Sequence, residues 1–275
     1  MTVCIAAVCN GGKSVVVAAD RMFTAPAPTS MEFETSEKKI ESLATGCVAL
    51  SAGNSAYASE IIAGALVSLA GARQPLMSLV AERVKEAYIS VRMAKVREQI
   101  LVPNMGPDFV RVEATGKTLP DYLASQAALY AQVVMLMSQF NLGSDFIVTG
   151  VDTGGARICV VGHPGTLAWL DKLGYSSIGT GGIHANMRLA LGAQTRSSPL
   201  VDTVYRVFDA KKASEVAPGV GPQTDMAIVT ASETKMLSES VLKTLLEIFN
   251  ESEGKKPSSL NKLTAALNKK EDSGG

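Results

Sequence analysis

The chain begins with two apolar segments separated by a short polar turn, a pattern that predicts a β-hairpin. Residues 2–9 and 15–19 are almost wholly apolar, and Asn-Gly-Gly-Lys stands between them at 10–13. Glycines adopt positive φ angles at little cost, which favours a tight connection between antiparallel strands. The first segment does not alternate with polar residues, so we expect a strand that is buried on both faces.

Strand-like and helix-like segments then follow one another in blocks. After a loop rich in Pro and Thr at 24–36, strands are predicted at 39–43, 46–53, 145–151, 156–162, about 166–170 and 225–230. Helical spacing of apolar residues predicts helices at 55–72, 76–101, 120–140, 184–193, 199–215 and 236–250. We expect Pro103, Gly106 and Pro107 to end the second of these helices and Pro120 to open the third.

The order of these elements predicts the fold class. Both groups of helices carry apolar faces, which suit helix layers packed outside a pair of sheets. We therefore expect an α+β fold, a four-layer αββα sandwich of two antiparallel sheets flanked by helices. The main domain is predicted over 2–232, with a helical insertion near 75–116, and a C-terminal helix and flexible tail over 233–275. One weak helix is predicted in that tail at 258–269.

Composition and charge narrow the class of protein. The 275 residues include 26 Lys plus Arg and 26 Asp plus Glu, so no charge excess favours nucleic acid or a membrane surface as partner. No apolar run reaches the ~18 residues of a membrane span, and no signal-peptide pattern opens the chain. The four scattered cysteines are typical of buried thiols in a reducing compartment, which predicts a cytoplasmic protein. His163 and His184 show no ligand spacing with them, so no metal or cofactor is expected.

The candidate chemistry begins at the second residue. A Met followed by a small residue is the usual substrate of methionine aminopeptidase, so Thr2 can become the mature N-terminus. Its α-amine would then have a pKa of about 7.7–8.0 and could take the hydroxyl proton as a base. Taken alone, Thr2 is also simply a β-branched residue at the start of a strand.

Two charged residues and a glycine extend this hypothesis. With the two glycines at the turn centre, Thr2 faces Arg21 and Asp20 lies one step away; a one-residue shift would make Asp20 a diagonal neighbour of Thr2. Lys39 precedes an apolar strand and can point inward, where a buried ammonium needs a carboxylate partner and favours an alkoxide. The N–H of Gly53, at a strand end before a helix, can stabilise an oxyanion. Each charge also has a simpler interpretation as a solvated strand end.

An ordered set of short segments extends this pattern along the chain. The set comprises Thr2 to Arg21, Lys39-Ile40, Ala52-Gly53, Phe146 to Asp152, Ser177 to Gly181, Ala185 and Asp225 to Val229. Together these segments resemble the proteasome β-subunit family of N-terminal nucleophile (Ntn) hydrolases. The resemblance covers roughly 2–72 and 117–230, and it depends on the order of the segments because no single motif is decisive.

The resemblance implies a fold, an activity and roles for particular residues. The family has a four-layer αββα fold, forms rings or related multimers, and cleaves peptide bonds with an N-terminal Thr, an Asp and a Lys. Here Thr2 would be the nucleophile and, through its amine, the base, while Asp20 and Lys39 would orient and activate it. Gly53 would supply the oxyanion hole, and Thr180 stands where the family has a serine that helps to hold the terminal amine.

The chain departs from the family before its last strand. The family has an Arg-Asp pair and a short glycine loop there, whereas this chain has Lys-Lys-Ala-Ser-Glu at 211–215 and a longer Pro-Gly loop at 216–224. Ser214 or Glu215 could replace the supporting Asp; otherwise that support is missing.

Three functions therefore remain open from the sequence. The leading prediction is a proteasome-like threonine endopeptidase, or amidohydrolase, which cleaves peptides or unfolded proteins through an acyl-enzyme ester. The alternatives are an Ntn-type acyl transferase or peptide ligase, in which an amine resolves the ester, and a non-catalytic ring-forming scaffold subunit. The resemblance also predicts a homo-oligomer, and it admits an ATPase unfoldase as a partner.

Overall fold

The computed structural model describes residues 2–24, 32–36, 38–106, 116, 119–123 and 126–254. The strands are β1 (Cys4–Cys9), β2 (Ser14–Asp20), β3 (Met22–Thr24), β4 (Glu32–Glu34), β5 (Ile40–Ala44), β6 (Cys47–Gly53), β7 (Ser144–Asp152), β8 (Gly155–Gly162), β9 (Thr166–Trp169), β10 (Tyr175–Ile178), β11 (Thr224–Val229) and β12 (Thr234–Met236). The helices are α1 (Ser55–Leu69), α2 (Met77–Val96), α3 (Val102–Met105), α4 (Leu119–Tyr122), α5 (Ala127–Gln139), α6 (Gly182–Leu191), α7 (Leu200–Ser214) and α8 (Glu239–Gly254). Most of the predicted loop at 24–36 and the predicted helix at 258–269 lie outside the described residues.

Two five-stranded antiparallel sheets form the centre of the chain. The first sheet has the strand order β10-β1-β2-β11-β12 and the second has the order β5-β6-β7-β8-β9, while β3 and β4 form a separate ribbon. Strand β12, which the sequence pattern did not predict, pairs with β11 before the chain divides into two compact units at Met236 and Leu237. Helix α8 belongs to the second unit.

The four-layer arrangement follows from strands that are apolar on both faces. In β1, Cys4, Ala6 and Val8 pack against the second sheet. Because successive side chains of a strand point to opposite faces, Ile5 and Ala7 face the layer of α6 and α7. All of these β1 residues are fully buried.

The second sheet is covered by the other helical layer. Helices α1 and α2 pack their buried faces, among them Ile61, Ala65 and Val84, against Phe146 and Val148 of β7. The layers therefore run helix, sheet, sheet, helix, and the predicted fold class is confirmed.

Two helix predictions were wrong in detail. The helix that begins at Met77 continues past Pro103, through a π-helical segment Arg97–Leu101 into α3, and ends only before Gly106. Pro103 lies in the first turn of α3, directly after the π-helical segment, where the regular α-helical hydrogen-bond pattern is already interrupted. The single helix predicted over 120–140 is instead two helices, α4 and α5. None of the helices in the described parts of the chain has the length and hydropathy needed to cross a bilayer.

Candidate active site

The candidate residues meet at one end of the sandwich, where strand ends of both sheets lie together. Thr2 directly precedes β1, and Asp20 closes β2, its antiparallel neighbour. The hairpin pairs Cys9 with Ser14 and Cys4 with Ala19, which places the glycines at the turn centre. This register excludes the alternative that is shifted by one residue.

Asp20 is completely buried and receives hydrogen bonds on both carboxylate oxygens. Thr2 Oγ1 donates to Asp20 Oδ1, and the N–H of Val3 donates to the same oxygen at 3.2 Å. The N–H groups of Met22 and Gly221 donate to Oδ2 at 3.3 and 3.1 Å. Three backbone donors therefore fix the orientation of the Asp20 carboxylate. Thr2 precedes the regular strand, so its hydroxyl can turn toward that carboxylate.

Lys39 supplies the positive charge of the site. Its side chain is buried just before β5, and its Nζ lies 2.8 Å from Asp20 Oδ1. The same ammonium donates to Thr2 Oγ1 and to the carbonyl of Met22, so all three of its donors are used. The Phe23 ring, with its centroid 5.4 Å from Nζ, covers another side. A held cation in contact with Oγ1 stabilises negative charge on that oxygen.

The segment after β10 holds the backbone of Thr2. The N–H of Gly181 donates to the Thr2 carbonyl at 3.3 Å, and Thr180 Oγ1 lies 3.4 Å from that carbonyl and 3.3 Å from the Pro218 carbonyl. A Cβ at Gly179, whose φ is +85°, would lie 2.3 Å from the Thr2 carbonyl oxygen, so this approach needs a glycine. Thr180 thus contacts the backbone carbonyl of Thr2, and its role toward a free terminal amine stays a prediction.

Gly53 and Thr2 both line one small recess. Gly53 ends β6 with φ +106°, and a Cβ there would lie 1.9 Å from the Gly143 carbonyl oxygen. The recess has a volume of about 20 Å³, room for one or two water molecules. Its lining residues are Thr2, Met22, Phe23, Lys39, Ser51, Ala52, Gly53, Ser55 and Ala58. A wider groove of about 710 Å³ shares five of these residues, Phe23, Lys39, Ser51, Ser55 and Ala58, and is otherwise largely polar.

The two residues suggested as replacements for the supporting Asp have other partners. Ser214 is buried, and its hydroxyl donates to the Ala210 carbonyl one turn back in α7, at 2.8 Å. Glu215 accepts from Lys211 at 2.6 Å and from Lys212 at 2.7 Å. Both side chains thus direct their hydrogen bonds within α7 and its end. Their predicted contribution to the amine stays a prediction.

Sequence reasoning missed the contribution of Gly221 and Lys211. The loop at 216–224, interpreted as a departure from the family, supplies the Gly221 N–H to Asp20 and the Pro218 carbonyl to Thr180. Lys211 donates to the Gly221 carbonyl at 2.8 Å. The signal was helical periodicity, because Lys211 falls on the buried stripe of α7 together with Thr203, Val207, Ala210 and Ser214.

Cys4 is the thiol nearest to this cluster in sequence and is not a competing nucleophile. Its Sγ donates to the Ser51 carbonyl at 3.2 Å. Burial raises the pKa of the Cys4 thiol to about 12, although the charge of Lys39 acts in the opposite direction. The neutral thiol that results is inert near neutral pH.

Comparison with known proteins bears on the fold. No protein-family model matches the chain, and no curated protein matches it. A solved structure of an Anbu mutant from Hyphomicrobium sp. strain MC1 superimposes with a TM-score of 0.62 at 16% identity, covering 98% of this chain and 100% of that chain. At that identity the likeness concerns the fold alone. The chain therefore has the fold of a proteasome-like Ntn hydrolase.

Proposed function

We propose that this chain is an N-terminal-threonine hydrolase that cleaves amide bonds in peptides. The observation that carries the proposal is the buried cluster in which Thr2 Oγ1, Asp20 Oδ1 and Lys39 Nζ contact one another, beside a small recess that Thr2 and Lys39 line. A hydroxyl held between a carboxylate and an ammonium is arranged for activation as a nucleophile. Such a buried charge pair is expensive to desolvate, so stability alone gives little reason for it.

The proposed reaction begins after Met1 has been removed. The free α-amine of Thr2 takes the Oγ1 proton, directly or through one water, and Oγ1 attacks the substrate carbonyl carbon. Lys39 stabilises the charge on Oγ1, and the Gly53 N–H accommodates the oxyanion that forms across the recess. The C–N bond breaks as the α-ammonium returns its proton to the leaving amine. Water then attacks the ester on Thr2, releases the acid and restores the hydroxyl.

The recess and groove support a substrate in an extended conformation. The recess next to Thr2 is small and partly lined by Ala52 and Ala58, so it suits a small uncharged side chain. The longer groove has room for neighbouring residues of a peptide and offers Lys38, Glu41 and Ser59 as polar contacts.

Mass spectrometry and two substitutions test the proposal. The purified active chain should lack Met1, and hydrolysis of fluorogenic peptides should disappear in Thr2→Ala while the protein stays folded. Thr2→Ser is the matched control, because it keeps a hydroxyl beside Asp20 and should retain measurable turnover. Activity that survives in Thr2→Ala, or an active chain that keeps Met1, would contradict the mechanism.

The same ester could be resolved by an amine, and product analysis separates the two reactions. Hydrolysis yields a free acid even when an amine acceptor is added, whereas a ligase would form mainly the new amide. Wild-type protein that is neither active nor labelled by an epoxyketone or β-lactone would favour a scaffold subunit. Assembly as a homo-oligomer, with an ATPase unfoldase as an additional partner, stays a prediction that native mass spectrometry can test.

A further inference from the structure

Lys211 is a second buried lysine, outside the cluster of Thr2, Asp20 and Lys39. Its side chain on α7 is completely buried. The ammonium donates to Glu215 Oε1 at 2.6 Å and to the carbonyls of Gly221 and Pro222, both at 2.8 Å. These three acceptors satisfy all three donors of an ammonium. Lys211 therefore attaches the end of α7 to the loop that leads into β11.

The peptide groups that Lys211 holds lead directly to the candidate active site. Gly221 accepts from Lys211 through its carbonyl and donates from its N–H to Asp20 Oδ2 at 3.1 Å. Asp20 in turn accepts from Thr2 and Lys39 on its other oxygen. Two hydrogen bonds and one glycine thus connect the Lys211 ammonium to the carboxylate that contacts the nucleophile.

Two prolines limit the backbone donors of this loop, so its carbonyls contribute to its attachment. Pro218 and Pro222 have no N–H to donate, which reduces the ways in which the backbone can be held. On its far side, Gln223 N donates to Glu34 Oε1 at 3.0 Å, on β4. Gly221 also lies tightly against Glu34, because a Cβ at Gly221 would be 2.5 Å from that same oxygen. Lys211 is thus the charged anchor of this loop on the α7 side.

Stability by itself does not explain a lysine at this position. Burial lowers the pKa of Lys211, while Glu215 and the more distant Asp20 act to raise it and Lys212 acts to lower it. A desolvated ammonium costs free energy that a packed apolar side chain would not. The arrangement is better explained by the geometry that it imposes on Gly221.

We propose that Lys211 is a positioning residue, which holds the Gly221 peptide so that its N–H keeps the Asp20 carboxylate turned toward Thr2 and Lys39. This inference rests on the proposed hydrolase function for its catalytic consequence. Lys211 itself touches neither Thr2 nor the recess, and it acts through the loop.

The chain offers a matched pair of variants, Lys211→Met and Lys212→Met. Both lysines bind Glu215 from the same helix, but it is Lys211 that donates to the Gly221 and Pro222 carbonyls. In Lys211→Met we expect kcat to fall about tenfold or more while KM changes less than about twofold, because a misplaced carboxylate affects the chemical step. Amide hydrogen exchange across 216–224 should accelerate in the same variant. Lys212→Met should resemble the wild type in both measurements.

The outcomes separate this inference from the proposed function. Three results would overturn the inference about Lys211. They are unchanged amide hydrogen exchange in Lys211→Met, faster exchange with an unchanged kcat, and equal effects of the two substitutions. If the wild type hydrolyses no peptide, the hydrolase proposal fails, and the exchange comparison still decides whether Lys211 holds Gly221. If Lys211→Met does not fold, Lys211→Arg and Lys212→Arg replace it. The wider guanidinium should displace the Gly221 carbonyl and lower kcat severalfold only at position 211, and equal kcat values would again overturn the inference.

Discussion

The Nζ of Lys39 lies 2.8 Å from Oδ1 of Asp20, and both side chains are buried where the two sheets meet at Thr2. The pair joins the end of β2 in one sheet to the start of β5 in the other. Removing one partner of a buried ion pair costs about 3–5 kcal/mol, because the remaining charge is left without compensation. The contact that would activate Thr2 is thus also part of the attachment between the sheets.

Asp20→Asn should abolish most of the activity. The amide carries no negative charge to balance Lys39, and we expect kcat to fall about a hundredfold or more, together with a lower free energy of unfolding. Peptide hydrolysis and urea denaturation measure the two effects. Asp225→Asn is the control, because it removes another buried carboxylate, paired with Arg21 at 2.6 Å, that does not contact Thr2. Equal kcat values for the two variants would contradict the role of Asp20.

Gly53→Ala should damage both stability and catalysis. An alanine at this position must adopt a positive φ, which costs about 1–2 kcal/mol. In addition, its Cβ would lie 1.9 Å from the Gly143 carbonyl oxygen. Gly71→Ala is the control for the backbone cost alone, since Gly71 has φ +86° with no atom within 4 Å of the added Cβ. The difference between the two variants therefore reports the clash with Gly143. Denaturation should show the larger loss for Gly53→Ala, and hydrolysis should fall in that variant alone. A similar loss of stability in both would show that the contact with Gly143 is readily relieved.

The pH dependence of turnover should report the terminal amine. The base must be neutral, so kcat/KM should rise with pH and level off above the amine pKa, about 7.7–8.0 for an unperturbed α-amine. Rates measured across pH 6–9 with folding monitored in parallel test this. Specific acetylation of the Thr2 amine should remove the activity. A flat profile over that range would indicate a different base.

The recess beside Thr2 should select small residues. Because its volume is about 20 Å³, a peptide with Ala at the position of the attacked carbonyl should have a higher kcat/KM than the same peptide with Phe. A series of peptides that differ only at this position provides the measurement. A preference for the aromatic side chain would show that the recess opens on binding.

All four cysteines should resist alkylation in the native protein. Each is free and buried, and burial raises the pKa of the Cys4 and Cys159 thiols to about 12 and of the Cys9 and Cys47 thiols to about 11. Near pH 8 the thiolate fraction is therefore very small, and reaction with iodoacetamide should require unfolding. Labelling with and without urea, read by intact mass, tests this. Rapid native modification of Cys4 would contradict the burial of this end of β1.

Local sequence patterns predicted most of the strands and helices of this protein and the order of its layers. Apolar runs and the glycine turn predicted the β1–β2 hairpin. Asp20 could be placed near Thr2 from sequence alone because both registers that the turn left open put it there, and the structure selected between them. The blocks of strands and helices likewise predicted the four layers. The unbroken helix past Pro103 and the strand β12 were missed, because a π-helical segment and a three-residue edge strand leave weak sequence signals.

Only the tertiary structure decided how distant segments complete the site. The packing of one sheet on the other brings Lys39 to Asp20, and the return of the chain through α7 brings Gly221 to the same carboxylate. Such contacts depend on how whole layers stack, and residue spacing does not record that geometry. The sequence by itself determined which residues we expect to carry the chemistry of Thr2. The fold decided that the loop at 216–224, which the sequence marked as a departure, accepts from Lys211 and donates the Gly221 N–H to the Asp20 carboxylate.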